Sequence, residues 1–299
     1  MTRFIPAYDV EGSGAVTDGT RIPSCLEACR TIVEIHRRHR MPATFFIVGS
    51  VLEEKSKEYR ALLDDPLFEV ASHSWSHKLL RDHDLCGKAA PVSEHRDEIF
   101  RSKELIERVF GRPCRGFRTP VGFPDGLSSA PQLLKLLSDA GHEYVSSQLW
   151  GPDFSLPAPL AQSYTYDRQG FPRLREFPGH GWHENLLKPS NKICGQKPRR
   201  VVLFPTPFPG AIPPDNVTSP EEEFRYNNGY FIDRGLRDGV AYVSLIQHPW
   251  SLALNDPAMR ILEMTFTYLR ERNVAGATFG EMCGSHLDAP NAKAYFRNH

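Results

Sequence analysis

Short apolar runs alternate with longer amphipathic stretches through the first half of the chain, and this rhythm constrains the fold more than any single residue does. Phe4–Tyr8, Ala43–Val48, Phe68–Ala71, Gly116–Arg118 and Tyr144–Ser147 are too short for helices and read as strands. Between them, Ser24–Arg40 places Leu26, Cys29, Val33 and His36 on one helical face. Glu94–Phe110 does the same with Ile99, Leu105, Ile106 and Val109, and Ala130–Ala140 stops at Gly141. Strand then helix, repeated, is the signature of a largely parallel sheet, because a parallel crossover needs the length of a helix to return.

The pattern changes after Trp150. Of the 25 prolines, 13 fall between Pro152 and Pro220, which disfavours long helices and leaves Leu174–Phe177 and Val201–Phe204 as short strands. Tyr226-Asn227-Asn228-Gly229-Tyr230 reads as a turn. The rhythm then returns with a strand at Ala241–Gln247, a helix from about Pro257 to Arg272 and a last strand at Ala275–Thr278. One α/β domain over residues 1–299, a barrel elaborated by a Pro-rich insertion at about 151–235, explains that return better than two domains in sequence.

Charge and cysteine usage narrow the function class. Lys and Arg number 36, matching the 36 Asp and Glu, which argues against a protein that binds nucleic acid. The basic run His36–Arg40 closes a helix, where cations complement the dipole, and reads as a solvated helix end. Cysteines 25, 29, 86, 114, 194 and 283 contain no CxxC pair, so reduced thiols are expected rather than a disulfide framework or a zinc cluster. No run of 18 apolar residues offers a transmembrane segment, and the chain enters its first strand without a signal-like leader, so a cytoplasmic location is expected.

In a parallel barrel the active site lies at the carboxyl ends of the strands, so the residues just after each strand belong together. Here these are Asp9 and Glu11, then His73 and His77, then Arg118, and finally His248. In His73-Ser74-Trp75-Ser76-His77 the two imidazoles stand four residues apart, a spacing that lets both reach one divalent ion. Two histidines with one carboxylate leave a coordination position for water, and a second carboxylate is then free to act as a base.

These segments resemble the motifs of the polysaccharide deacetylases, the family with a NodB-homology domain. His73-Ser74-Trp75-Ser76-His77 matches the family's His-Ser/Thr-x-x-His, Arg118-Thr119-Pro120 matches Arg-x-Pro, and Ile246-Gln247-His248 matches Leu-x-His. Ala43-Thr44-Phe45-Phe46-Ile47-Val48-Gly49 is similar to the family's second strand, and the matches span residue 4 to about 280 in the family's order. The first motif departs: the usual Thr-Phe-Asp-Asp is replaced by Ala7-Tyr8-Asp9-Val10-Glu11, which resembles an Asp-Val-Asp/Glu variant. The fourth motif keeps only Trp150, with Ser146 and Leu149 where aspartates are usual and Asp153 as a substitute.

The resemblance implies a distorted (β/α)7 barrel and the hydrolysis of an amide, with N-deacetylation or deformylation of an amino sugar foremost. It implies one divalent ion, zinc first with cobalt or nickel as alternatives, held by His73, His77 and Glu11. It gives Asp9 the role of base, Arg118 that of its partner, the Val121 backbone N–H that of oxyanion donor, and His248 that of general acid. Substrate contacts are expected from Trp150, from His180, Trp182 and His183 in Phe177–His183, and from Trp250. The partner is a small N-acylated sugar or related amide, and a homo-oligomer is possible. Two other readings stay open: a metal-independent, allantoinase-like hydrolase of a cyclic amide, suggested by His248-Pro249-Trp250, and a non-catalytic carbohydrate-binding barrel.

Overall fold

The structure is a computed structural model, and it describes residues 1–12, 16–17, 20–21, 23–84, 86–150, 155–156, 160–182, 200–201 and 219–287. In chain order the sheet elements are β1 (Arg3–Val10), β2 (Ala43–Ile47), β3 (Phe68–Ser72), β4 (Gly116–Arg118), β5 (Tyr144–Ser146), β6 (Tyr164–Tyr166), β7 (Phe171–Glu176), β8 (Gly181–Trp182) and β9 (Tyr242–Gln247). The main helices are α1 (Cys25–His39), α2 (Gly49–Glu54), α3 (Ser56–Leu63), α4 (Val92–Phe110), α5 (Pro131–Asp139), α6 (Pro220–Glu223), α7 (Gly229–Asp238), α8 (Pro249–Asn255), α9 (Arg260–Glu271) and α10 (Phe279–Leu287).

The strands form one sheet in the order β8-β9-β1-β2-β3-β4-β5-β7-β6, and every neighbouring pair is parallel except β7 with β6. A single run of chain, 171–182, pairs with β5 through β7 and with β9 through β8. Phe177 N donates to Val145 O (2.8 Å) and His180 N to Ser244 O (2.9 Å), so this run reaches from one end of the strand order to the other. Seven strand positions with helices outside them give the expected α/β barrel-type fold.

Alternation along the strands sends one set of side chains inward. Ile5, Ala7, Phe46, Ala71, Tyr144, Phe177 and Tyr242 form the inner core with Phe279. Phe279 opens α10, and its ring centroid lies 5.5–6.4 Å from those of Phe46, Tyr144, Phe177 and Tyr242. Its backbone N donates to Thr44 Oγ1 (3.0 Å), and Gly280 N donates to Glu69 Oε2 (2.8 Å), so α10 plugs the amino end of the strands.

Local chemistry explains the elements that the sequence made visible. Helix α1 starts at Ser24, whose Oγ accepts from Glu27 N while Glu27 Oε2 accepts from Ser24 N, and it ends where Arg40 turns left-handed. His36 faces inward, between the Tyr8 hydroxyl (2.7 Å) and Met41 O (2.7 Å), so the basic run is not solvated throughout. Cys25, Cys29, Cys86, Cys114 and Cys283 are free thiols, and Cys194 lies outside the described residues.

Other expectations are corrected. The helix expected over 257–272 forms as α9, Arg260–Glu271, but a further helix, α8, precedes it: Met259 adopts φ 50° and Asp256 Oδ2 accepts from Ile261 N (2.9 Å), which separates the two. No strand forms at 275–278; Gly276 makes one parallel bridge to Phe4 before α10 begins. Tyr226–Tyr230 is not a turn. Residues Phe224–Asn228 form a π-helical segment that runs into α7, and Asn228 Nδ2 donates to Thr265 Oγ1 (2.8 Å). Of Val201–Phe204, only Val201 is described, and with Arg200 it forms a two-residue strand against Ser155–Leu156. Part of the Pro-rich stretch is itself barrel wall, since β7 and β8 lie within it.

Candidate active site at the carboxyl ends of the strands

Parallel strands present all their carboxyl ends at one rim, and there the fold gathers residues far apart in sequence. Asp9 lies in β1 and Glu11 just beyond it, His73 follows β3, Arg118 ends β4, and His248 follows β9.

Arg118 and Asp9 form the buried base of the site. Arg118 Nη1 donates to Asp9 Oδ1 at 2.6 Å, and Nη2 donates to Ser146 Oγ at 3.2 Å. The guanidinium also lies 4.0 Å from the centroid of the Phe46 ring, so an aromatic face supports a charge that has no exposure to water. The serine replacing the family's aspartate therefore still has a partner.

Glu11 stands at the centre. Its Oε1 is 3.2 Å from His73 Nε2, 2.9 Å from His77 Nε2 and 3.1 Å from His248 Nε2. Burial would raise its pKa, but the charges of His248 and His77 and the contacts of His248 and His73 hold its carboxyl well below the usual range. His77 responds in kind: burial opposes its charge, yet the Glu11 charge pulls its pKa upward.

The donor set fits a divalent ion. His73 Nδ1 lies 3.0 Å from the Arg118 carbonyl, which can only accept, so the proton sits on Nδ1 and Nε2 offers its lone pair to the site. His73 Nε2 and Glu11 Oε1 then face each other as two acceptors, and a shared cation resolves that opposition. His77 Nε2 is buried without a formed hydrogen bond, a second atom that a cation would satisfy. One ligand atom each from Glu11, His73 and His77 lies within 4.8 Å of the others, the nitrogen and oxygen donors that suit zinc and its neighbours. Asp9, Glu11 and His248 meet the same limit, but Asp9 already holds Arg118.

The remaining candidates separate. Val121 is buried in the turn after β4, where Thr119 Oγ1 donates to Val121 O (2.6 Å) and Phe123 N to Ser147 O (2.7 Å). Trp250 sits beside His248, ring centroids 5.9 Å apart. Trp150 is fully buried, which suits packing rather than open contact with a sugar. His180 is not in the wall of a cleft: it is buried, its Nε2 meets Ala161 O (2.7 Å), its Nδ1 accepts from Ser244 N (3.0 Å), and its ring stacks on Tyr242. The backbone of Trp182 belongs to β8, while His183 and Asp153 lie outside the described residues. Trp75 packs, with the Arg101 guanidinium 3.4 Å from its ring centroid. One residue gave no sign in the sequence: Glu98 in α4 accepts from both Ser76 N (2.8 Å) and Ser76 Oγ (2.5 Å), inside the His-x3-His loop.

The polysaccharide deacetylase family model matches residues 18–145, a span that contains His73, His77 and Arg118. A chitooligosaccharide deacetylase of Bradyrhizobium sp. (strain ANU 289) is 26% identical over 133 residues, covering 41% of this chain and 56% of that protein. One from Rhizobium leguminosarum bv. phaseoli is 35% identical over 86 residues, covering 26% of this chain and 38% of that protein. The match thus spans about half or less of these relatives' length. In fold, a Mycobacterium smegmatis protein provisionally named a polysaccharide deacetylase aligns with TM-score 0.62 at 17% identity, over 99% of this chain and 96% of that one. A family 4 carbohydrate esterase from Streptomyces lividans aligns with TM-score 0.52 at 12% identity, over 93% and 92%. The matched model, the two sequence relatives and the shared fold agree, and residues 18–145 of the chain match the polysaccharide deacetylase family.

Proposed function

We propose that this protein is a metal-dependent amide hydrolase that removes the N-acyl group, acetyl or formyl, from an amino sugar. The observation that carries the reading is the convergence of Glu11, His73 and His77 beside the Asp9–Arg118 pair, with His248 also against Glu11. The two chitooligosaccharide deacetylases among its relatives support the substrate class.

A divalent ion held by Glu11, His73 and His77 would supply Lewis acidity toward the amide carbonyl and acidify a water molecule to a pKa of about 7. The chain's own groups do the rest. Asp9 takes the proton from the attacking water, and Arg118 fixes which carboxylate oxygen is free for it, since Oδ1 is already bonded. The Val121 N–H faces the oxygen on which negative charge develops. His248 delivers a proton to the departing nitrogen, without which the tetrahedral intermediate would return to substrate.

The test is release of free amine from a panel of N-acetylated chitooligosaccharides and N-acetylated or N-formylated monomeric amino sugars. Each is assayed with protein as purified, after chelation, and after return of Zn, Co or Ni. Amine release lost on chelation and restored by metal supports the proposal. Undiminished amine release by metal-free protein overturns the metal dependence. Silence across the panel, from protein that binds metal, overturns the amino-sugar assignment.

A further inference from the structure

Residues 72–77 must hold two imidazoles in place on backbone that does not favour it. Ser74 has φ 63° and His77 φ 60°, both in the left-handed region that a side chain disfavours. Such a conformation persists only when its surroundings over-determine it. The loop itself supplies one tie, from His77 N to Ser74 Oγ (3.0 Å). The start of α2 supplies two more, from Gly49 N to Ser74 O (2.9 Å) and from Ser50 N to Trp75 O (2.8 Å).

A further set of ties comes from one face of α4. Residues 98, 101 and 102 follow the i, i+3, i+4 spacing of a single helical stripe. Ser72 Oγ donates to Ser102 Oγ (2.9 Å) immediately before His73. Arg101 lies on the Trp75 ring, which also lies against Gly49, where an added Cβ would stand 2.6 Å from Trp75. Glu98, buried, closes the row by accepting both the backbone N–H and the hydroxyl of Ser76, the residue that leads into His77.

We propose that Glu98 is a positioning residue of the metal half-site, clamping Ser76 so that His77 keeps its left-handed backbone and its ring stays aimed at Glu11 before any ion arrives. The inference rests on the metal reading above only for its effect on affinity; the clamp itself belongs to the protein without metal. Glu98 holds Ser76 and acts through it. Losing both of its bonds frees the peptide between Ser76 and His77 to rotate toward negative φ, which swings the imbalance of strain into loss of the ligand geometry. Partners that orient a ligand in this way alter metal affinity about 10–100-fold when removed.

The test uses the full chain as Glu98→Ala, Glu98→Gln and Ser76→Ala, with thermal melting followed in parallel. In metal-free protein, amide hydrogen exchange of Ser76 and His77 is expected to be slow in wild type, faster in Glu98→Ala and intermediate in Glu98→Gln, which keeps one acceptor oxygen. Zn affinity measured by competition with a chromogenic chelator is expected to fall 10–100-fold in Glu98→Ala and less in Glu98→Gln and Ser76→Ala. Unchanged exchange at Ser76 and His77 overturns the clamp. A Zn affinity within twofold of wild type in a folded Glu98→Ala protein also overturns it, as a residue that only stabilises the barrel would lower the melting temperature alone. If wild type takes up no Zn while Glu98→Ala still loses protection, the clamp stands and the metal reading fails.

Discussion

Arg118 Nη1 meets Asp9 Oδ1 at 2.6 Å inside the barrel, the guanidinium fully buried and the carboxylate nearly so. Breaking a buried pair from one side leaves a charge without compensation, a loss of about 3–5 kcal/mol. Arg118→Met is therefore expected to lower stability by that order and to reduce kcat/KM about 10²–10⁴-fold, the usual share of a misplaced general base. Arg118→Lys restores charge, but one ammonium cannot span both Asp9 and Ser146, so recovery should be partial. Denaturant melts and steady-state rates on both variants check this, and a fully active Arg118→Met would remove Arg118 from the mechanism.

Glu11→Gln tests the third ligand. The amide keeps the volume and one oxygen but gives up the negative charge that His73, His77 and His248 all face. Metal content after purification without chelator should drop from about one ion per chain to a small fraction, while the melting temperature changes little. Stoichiometric metal in folded Glu11→Gln would show that the carboxylate charge is dispensable.

Where sequence and structure agree, the reason is period. Phe4–Tyr8, Ala43–Val48 and Gly116–Arg118 lie in fully or almost fully buried strands, so composition and turn residues alone mark them. Asp9, His73, Arg118 and His248 were legible as a set because parallel strands must bring their carboxyl ends together. The rest was hidden for physical reasons. Helices α2 and α3 have 6 and 8 residues, too short for a hydrophobic stripe to declare itself. His180 looked like a ligand-binding histidine because a sequence does not show that its two ring nitrogens meet backbone groups of distant segments. Glu98 lies 22 residues beyond Ser76 on a helix full of charged residues, and only the packing of α4 against the loop selects it.

Phe279 gives a sharp test of the barrel floor. Four aromatic rings surround it, in a buried cluster that Met282 and Cys283 of the same helix also join. Phe279→Ala should cost about 3–5 kcal/mol, and Phe279→Leu distinctly less, because the cavity it leaves is smaller. Urea titration measures both; a loss under 1 kcal/mol for the alanine variant would mean that α10 is not seated as described.

Acid should unfold this protein through histidines that lie away from the rim as well as through its carboxylates. Burial lowers His36 and His180 to about 4, and burial with the nearby Lys103 charge lowers His142 to about 3, each from an ordinary 6.5. The folded state therefore holds these rings neutral while the unfolded chain protonates them near pH 6.5. Their contribution is complete above that pH and is lost as the pH falls toward 4. Each proton taken up only by the unfolded chain costs about 1.4 kcal/mol per pH unit, so three give a slope of about 4 kcal/mol per unit between pH 6 and 4.5. Glu69 and Glu176 act in the opposite sense, since burial raises their carboxyls and the folded state binds those protons first, which offsets part of the slope. His142→Leu removes one proton from the uptake and is expected to lower the slope by about 1.4 kcal/mol per unit. Urea melts at half-unit steps from pH 7 to 4.5, run on wild type and His142→Leu, measure the difference, and identical slopes would show that His142 is not held neutral by the fold.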